Sequence, residues 1–337
     1  MKTENMILNE ERNVTLTAYL QPAGGEFRNI SRRPAVLILP GGGYTMCSDR
    51  EADPVAFPYL KAGYQTFILR YSVGEHATWP NPLEDYEKAM ELIRSNEEKW
   101  SLYPDKIAVI GFSAGGHLAA SAAVMSKNRP NAAILGYPVI DKETVSTYLP
   151  SAPDAAEAVD DNTCPCFLFA SRNDSTVPVK NTIKMMEALT KYDISFESHI
   201  YAYAPHGFTT GDTSVAAGFD CCSRVPHWVE DSLEWLKDVL GDFGNQEMTE
   251  PKCKARINGN RDPFYNPDCT MGYLLKDKEV KDLLLPYFQP MMEHMHVEEI
   301  PDMVNTMLLK DILGFMNFTT DKLQEISDKL KSIPKNR

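Results

Sequence analysis

Ile107-Ala108-Val109-Ile110-Gly111-Phe112-Ser113-Ala114-Gly115-Gly116 joins an unbroken apolar run to a serine set between glycines. A run without polar alternation marks a strand covered on both faces. A segment of small, helix-compatible residues, Gly115 to Met125, follows at once. A strand that feeds a helix through Gly-x-Ser-x-Gly puts its serine on a sharp turn, exposed and strained, with side chains removed where they would collide. The helix N-terminus adds unpaired N–H groups where negative charge can settle. Five residues of this pattern arise easily by chance, and the alternative is a helix-opening turn with a capping serine. The position between strand and helix gives the pattern its weight.

The same alternation extends in both directions. Val14 to Leu20 alternates with period two, as a half-exposed edge strand does. Ala35–Leu39, Thr66–Tyr71, Ala132–Leu135 and Phe167–Ala170 are continuous apolar runs, and Phe196 to Tyr203 is a less uniform last strand. Helix-length segments separate them: Asp53 to Ala62, Leu83 to Trp100, Gly115 to Met125, Val179 to Tyr192 and Trp228 to Leu240. In the second, Tyr86, Ala89, Met90 and Ile93 recur at three- and four-residue steps. The expected fold class is α/β: a doubly wound, mostly parallel sheet covered by helices. Asp141 to Thr163 is the longest expected interruption, a short cap that leaves the cleft open. After Leu240 the composition turns to Gly, Asn and charge. The expected division is a catalytic domain over 1–242, a linker over 243–262 and a small all-α domain over 263–337. That last domain has helices at Asp277–Leu285, Asp302–Phe315 and Thr320–Ile333, the last capped near Thr320-Asp321.

Composition narrows the function classes. The 337 residues carry a formal charge of −13, which disfavours a phosphate backbone as partner, and the one short basic run, Lys252 to Arg256, falls in the linker. No nucleic-acid or membrane partner is expected. Seven cysteines show neither Cys-x-x-Cys pairs nor zinc spacing, which favours free thiols in a reducing compartment. The polar start Met1-Lys2-Thr3-Glu4-Asn5 does not open a signal peptide, so a cytoplasmic location is expected.

Two further motifs complete a chemistry. Pro40-Gly41-Gly42-Gly43-Tyr44 ends an early buried strand. A tight turn or a phosphate loop would also use glycines, but no Gly-Lys-Ser/Thr and no Gly-x-Gly-x-x-Gly follows. Beside Ser113 the run fits an oxyanion hole, with N–H groups from Gly42, Gly43 and Ala114, each worth roughly 3–4 kcal/mol in the transition state. Asp174 follows the strand Phe167–Ala170, and His206 follows the last strand. Alone, Asp174 could equally cap a helix. In the chain order Ser113, Asp174, His206 it becomes the acid that orients a base. Asp212, after the histidine, is a weaker alternative. Tyr44, Trp79 and Phe208 are expected walls of the substrate cleft, from motif neighbourhood. His117 is expected to pack beneath the site, and His76 and His227 to face solvent. His294 and His296 lack a third ligand, so neither a metal nor an organic cofactor is expected. The run Met291 to Met295 reads as helical packing.

These motifs, Gly41–Tyr44, Gly111–His117, Asp174 with Val177-Pro178, and His206-Gly207-Phe208, resemble the bacterial acetyl-xylan and feruloyl esterase-like branch of the α/β-hydrolases. That branch adjoins the hormone-sensitive-lipase-like carboxylesterases, and the likeness spans roughly Val14 to Leu240. One departure is Pro40, where many relatives carry histidine. The resemblance implies hydrolysis of short acyl esters, often acetyl groups on sugars, through a Ser-His-Asp triad and an acyl-enzyme. The partner it implies is a small-molecule ester or an acylated oligosaccharide. A general short-chain carboxylesterase or an arylformamidase would share the mechanism, and a non-catalytic binding protein would share only the fold. The tail is similar to a helical domain appended to some bacterial carbohydrate-active hydrolases. It is expected to act in docking or in forming a homo-oligomer.

Overall fold

The computed structural model describes residues 1–253, 255–257 and 264–335. Lys254 of the basic run and residues 258–263 of the expected linker lie outside the described residues. Eight strands form one sheet: β1 (Lys2–Asn9), β2 (Val14–Leu20), β3 (Arg33–Leu39), β4 (Gln65–Arg70), β5 (Leu102–Phe112), β6 (Ala132–Gly136), β7 (Cys166–Ser171) and β8 (Phe196–Tyr201). Their spatial order is β1-β2-β4-β3-β5-β6-β7-β8. β1 and β2 run antiparallel to their neighbours, and the other six strands are parallel.

Alternation along the buried strands explains the two-sided core. Ala35, Leu37 and Leu39 of β3 join one apolar cluster, and Val36 and Ile38 join the other. The first cluster packs against helices Asn81–Ser95, Ser113–Met125 and Lys180–Lys191, and the second against Asp53–Lys61 and Trp228–Leu240. Successive side chains of a strand point to opposite faces, so a strand buried on both must be apolar throughout. The chain leaves β3 for β4 on one side and returns to β5 on the other. That reversal opens a crevice at the carboxyl ends of β3 and β5, where ligands of open α/β sheets bind. The glycine loop and Ser113 stand there.

Several expectations are corrected. β1 was not expected, because an outer strand with a single buried side chain carries little apolar signal. The helix expected over Leu83–Trp100 is divided after Ser95, with a short turn at Glu97–Trp100. Asp141–Thr163 is not an open loop. Asp141 caps a short helix, Lys142–Ser146, by accepting the Thr144 N–H, and Val145, Leu149, Ala152 and Ala155 are buried. The longer irregular stretch is 202–224, which carries His206.

Contact patterns divide the chain into two compact units, Met1–Cys253 and Lys254–Arg337. Residues 243–253, expected as linker, fold back on the first unit. Tyr103 donates to Glu247, and the Lys252 and Cys253 N–H groups donate to the Asp238 carbonyl. In the second unit the helix from Lys278 runs to Met295, through Pro286 and Pro290, rather than stopping at Leu285. Val280, Leu284, Phe288 and Met292 form a buried stripe at four-residue steps, which outweighs the two missing N–H donors. Met292 is therefore packing, while Met295 is exposed. Only Leu309–Phe315 of the expected Asp302–Phe315 helix is α-helical, since Leu308 is held in a bridge to Thr270. The last helix is preceded by Thr319, with no side-chain cap, not capped at Thr320-Asp321. No helix among the described residues is long and apolar enough to cross a membrane.

Gly115 lies where the nucleophile helix crosses the end of β3. A Cβ there would meet the Leu39 carbonyl oxygen at 2.2 Å and that of Pro40 at 2.5 Å. Neither is a side chain that can turn away. Gly115→Ala is therefore expected to cost about 2 kcal/mol by forcing backbone apart, read as a lower urea midpoint for the first unit. An unchanged midpoint would contradict this packing.

Candidate active site

Ser113 follows β5 directly and opens the helix Ser113–Met125, with φ of +53°. An L-residue in this region is strained by about 1–2 kcal/mol, and the packing on either side holds it there. The Ser113 carbonyl accepts the Val139 N–H at 3.1 Å, which ties the elbow to the loop after β6. Asp174 follows β7, and His206 follows β8. His206 Nδ1 is 2.7 Å from Asp174 Oδ2, and its Nε2 is 2.9 Å from Ser113 Oγ. A carboxylate only accepts, so Nδ1 carries the proton and Nε2 is left to accept from the serine hydroxyl. Asp174 is 6% exposed, and its other oxygen accepts the Thr176 and Val177 N–H groups at 2.9 Å each. Its charge is thus fully hydrogen-bonded. The two loops are laced together: Ser171 Oγ donates to the Ala204 carbonyl, and the Ala204 N–H donates to Asn173 Oδ1.

The glycine loop bends sharply over the same point. Gly42 has φ of +133°, and a Cβ there would stand 2.2 Å from the Met46 carbonyl oxygen, so only glycine fits. Its carbonyl accepts the Thr45 and Met46 N–H groups. Among the described residues the Gly42 and Gly43 N–H groups meet no acceptor. Ala114, in the first turn of its helix, has no acceptor within that helix. An ideal Cβ on Gly41 would lie 3.0 Å from Ser113 Cβ, which sets this loop directly against the serine.

Known proteins resemble the chain along this core. A family model described as BD-FAE matches residues 27–147, and one described as the prolyl oligopeptidase family matches residues 142–242. Endo-1,4-beta-xylanase B of Butyrivibrio fibrisolvens is 32% identical over 218 residues, covering 56% of this chain and 34% of that protein. An acetylxylan esterase of Xylanibacter ruminicola is 29% identical over 203 residues, covering 52% of this chain and 41% of its own. The chain thus spans well under half the length of these two relatives. The crystal structure of MGS-M1, an alpha/beta hydrolase enzyme from a Medee basin deep-sea metagenome library, is 42% identical with a TM-score of 0.67. The match covers 71% of this chain and 98% of that one. The chain belongs to the α/β hydrolases. Within them its likenesses are esterase-like.

In this α/β hydrolase the expected Ser113, Asp174 and His206 are brought together, Ala114 follows the serine in the same helix, and the loop that carries Gly42 and Gly43 meets the serine at Gly41. The expected cleft walls fare differently. Tyr44 is 1% exposed, with its hydroxyl 2.7 Å from His117 Nδ1, and Phe208 is fully buried against Tyr137 and Phe169. Both support the site from below, and neither is an open wall. Trp79 is half-buried, with its ring edge toward His117. Asp212 is exposed and makes no contact with His206. His227 is exposed, while His76 is half-buried beside Glu75. Among the described residues no group of three or more His, Cys, Asp or Glu could hold a metal ion.

Three residues went unselected in the sequence. Tyr148 is half-buried, stands against Gly43 and donates to the Thr176 carbonyl, so it spans from the glycine loop to the Asp174 loop. Glu51 is buried behind Gly41, and Tyr137 lies under His206. None belongs to a local motif, so the sequence offered no signal for them.

His117 is fully buried. Its Nε2–H donates to the Pro153 carbonyl, which can only accept, so Nδ1 accepts from Tyr44. Burial pushes the imidazole down from 6.5 to about 4. The unfolded chain takes up this proton as pH falls through 6.5, and the folded chain does so only near 4. Stability is therefore fully present above 6.5 and lost on acidification toward 4. Between pH 7 and 4.5 the loss from this group is about 2 kcal/mol. Urea denaturation of the wild type and of His117→Gln should show that much less acid sensitivity in the variant, and equal sensitivity would contradict the buried neutral histidine.

Proposed function

We propose that this chain hydrolyses carboxylic esters of short acyl groups, with Ser113 as nucleophile, His206 as base and Asp174 as orienting acid. The observation that carries the reading is the unbroken line from Asp174 through His206 to Ser113 Oγ, at 2.7 and 2.9 Å. Ser113 attacks the ester carbonyl as its proton passes to His206 Nε2. Asp174 keeps the proton on Nδ1, holds the ring in that tautomer and stabilises the imidazolium that forms. The tetrahedral oxyanion is received by the N–H groups of Gly42, Gly43 and Ala114. His206 then returns the proton to the leaving alcohol, which leaves Ser113 acylated. Water, deprotonated by the same nitrogen, releases the acid and restores the serine. No step asks for a metal or organic cofactor.

Acetyl is the favoured acyl group, and an acylated sugar such as a xylo-oligosaccharide the favoured substrate. The likeness to an acetylxylan esterase and a xylanase supports this. Tyr148, beside Gly43, and Trp79 offer rings against which a sugar can pack. Turnover of acetylated xylo-oligosaccharides is expected to exceed that of butyrate esters, feruloyl esters and N-formylkynurenine. A preference for butyrate would favour a general short-chain carboxylesterase, and one for N-formylkynurenine an arylformamidase. Ser113→Ala is expected to lose at least about 10⁴-fold in kcat on p-nitrophenyl acetate while keeping the wild-type far-ultraviolet spectrum. Wild-type turnover in that variant would end the proposal.

A further inference from the structure

Glu51 closes the short turn Asp49–Glu51, ahead of the helix Asp53–Lys61, and is 4% exposed. Its Oε2 accepts the Gly41 N–H at 2.7 Å, and its Oε1 accepts the Tyr137 hydroxyl at 2.6 Å. Tyr137 follows β6 with φ of +33°, and its ring packs edge-on with that of His206, the centroids 5.0 Å apart. Its oxygen also accepts the Thr209 N–H at 3.2 Å, from the stretch that carries His206. One buried carboxylate therefore grips the glycine loop with one oxygen and the support of the histidine with the other.

A buried carboxylate without a cation bonded to it is costly, by several kcal/mol before its hydrogen bonds are counted. The adjacent Arg50 forms no ion pair with Glu51. Its guanidinium reaches the Gly207 carbonyl at 3.4 Å and lies over the Phe219 ring. To hold Gly41 alone, any neutral acceptor would serve. What a neutral acceptor cannot supply is negative charge behind Tyr137, whose ring packs on that of His206.

We propose that Glu51 is a positioning residue for the reaction above. It fixes Gly41 so that the next two N–H groups stay aimed at the oxyanion, and it stabilises the imidazolium formed on His206. It touches no substrate and exchanges no proton: the serine proton still moves to His206 Nε2 and on to the leaving alcohol. Burial pushes the Glu51 carboxyl upward, opposed by its bonds to Tyr137 and Gly41 and by the nearby His206 and Arg50. The charged and titratable groups facing His206 are Asp174 at Nδ1, Ser113 at Nε2, Tyr137 at the ring face, with Glu51 behind it, and Arg50 at the next carbonyl.

The inference rests on the proposed ester hydrolysis, and the test separates the two. In the full chain, wild-type turnover of p-nitrophenyl acetate, abolished by Ser113→Ala, judges the reaction. Glu51→Gln, of the same shape and able to accept the Gly41 N–H, judges the carboxylate. With active sites titrated, it should lower kcat about 10- to 100-fold with KM within about threefold, because the lost interaction acts in the transition state. The acid limb of kcat/KM should move down by about half to one pH unit, because the imidazolium has lost a stabilising charge. A kcat within twofold of wild type, or an acid limb that stays in place, would overturn the proposal. Should Glu51→Gln fail to fold, Tyr137→Phe decides instead. A loss of at least about fivefold in kcat at constant KM supports the link, and a loss under twofold overturns it.

Discussion

The hydrogen bond from Ser113 Oγ to His206 Nε2 spans 93 residues of sequence, and much of the first unit can be read as the means of making it 2.9 Å long. Ser113, Asp174 and His206 follow β5, β7 and β8, so one parallel sheet delivers all three to the same edge. The sheet alone sets position only coarsely. The final ångströms come from the loops: the left-handed turn at Ser113, the backbone N–H pair that holds Asp174, and the Ser171, Asn173 and Ala204 bonds that lace two loops together. Each is short-ranged and directional, which is what a proton transfer requires.

Around that bond the surroundings are divided. Two buried carboxylates, Asp174 and Glu51, bear on His206, one bonded directly and the other through Tyr137. His117, within the nucleophile helix, and Tyr44, at the end of the glycine loop, form a buried and neutral pair. The carboxylates match the positive charge that ester hydrolysis would create on the imidazole, while the negative charge would fall to the N–H groups of Gly42, Gly43 and Ala114. Preorganised groups of this kind need not reorient as the reaction proceeds, which is the main source of their effect.

The division also explains what was legible in the sequence. Buried parallel strands announce themselves because both faces demand apolar residues, and so β3, β4, β6 and β7 could be placed to within two residues, while β5 starts five residues before its apolar run. β1, with one face and one edge in water, could not. Ser113, the glycines, Asp174 and His206 could be singled out because the chemistry expected of them imposes local spacing and chain order. Glu51 and Tyr137 act through contacts 86 residues apart, and nothing nearby distinguishes them from any other turn glutamate or core tyrosine. Tyr44 and Phe208 were assigned to the cleft by their neighbours in sequence. Adjacency along a chain says nothing of which way a ring turns, and both turn inward. Pro286 and Pro290 carried a real local preference for ending a helix, which the buried stripe from Val280 to Met292 overrode.

The most direct measurement is mass spectrometry of the full chain after treatment with a fluorophosphonate, which forms a stable bond only with an activated hydroxyl. One adduct is expected, on the peptide that carries Ser113, at a rate that collapses in His206→Gln. A chain that stays unmodified, or one labelled at another residue with Ser113 untouched, would contradict an activated serine at the end of β5.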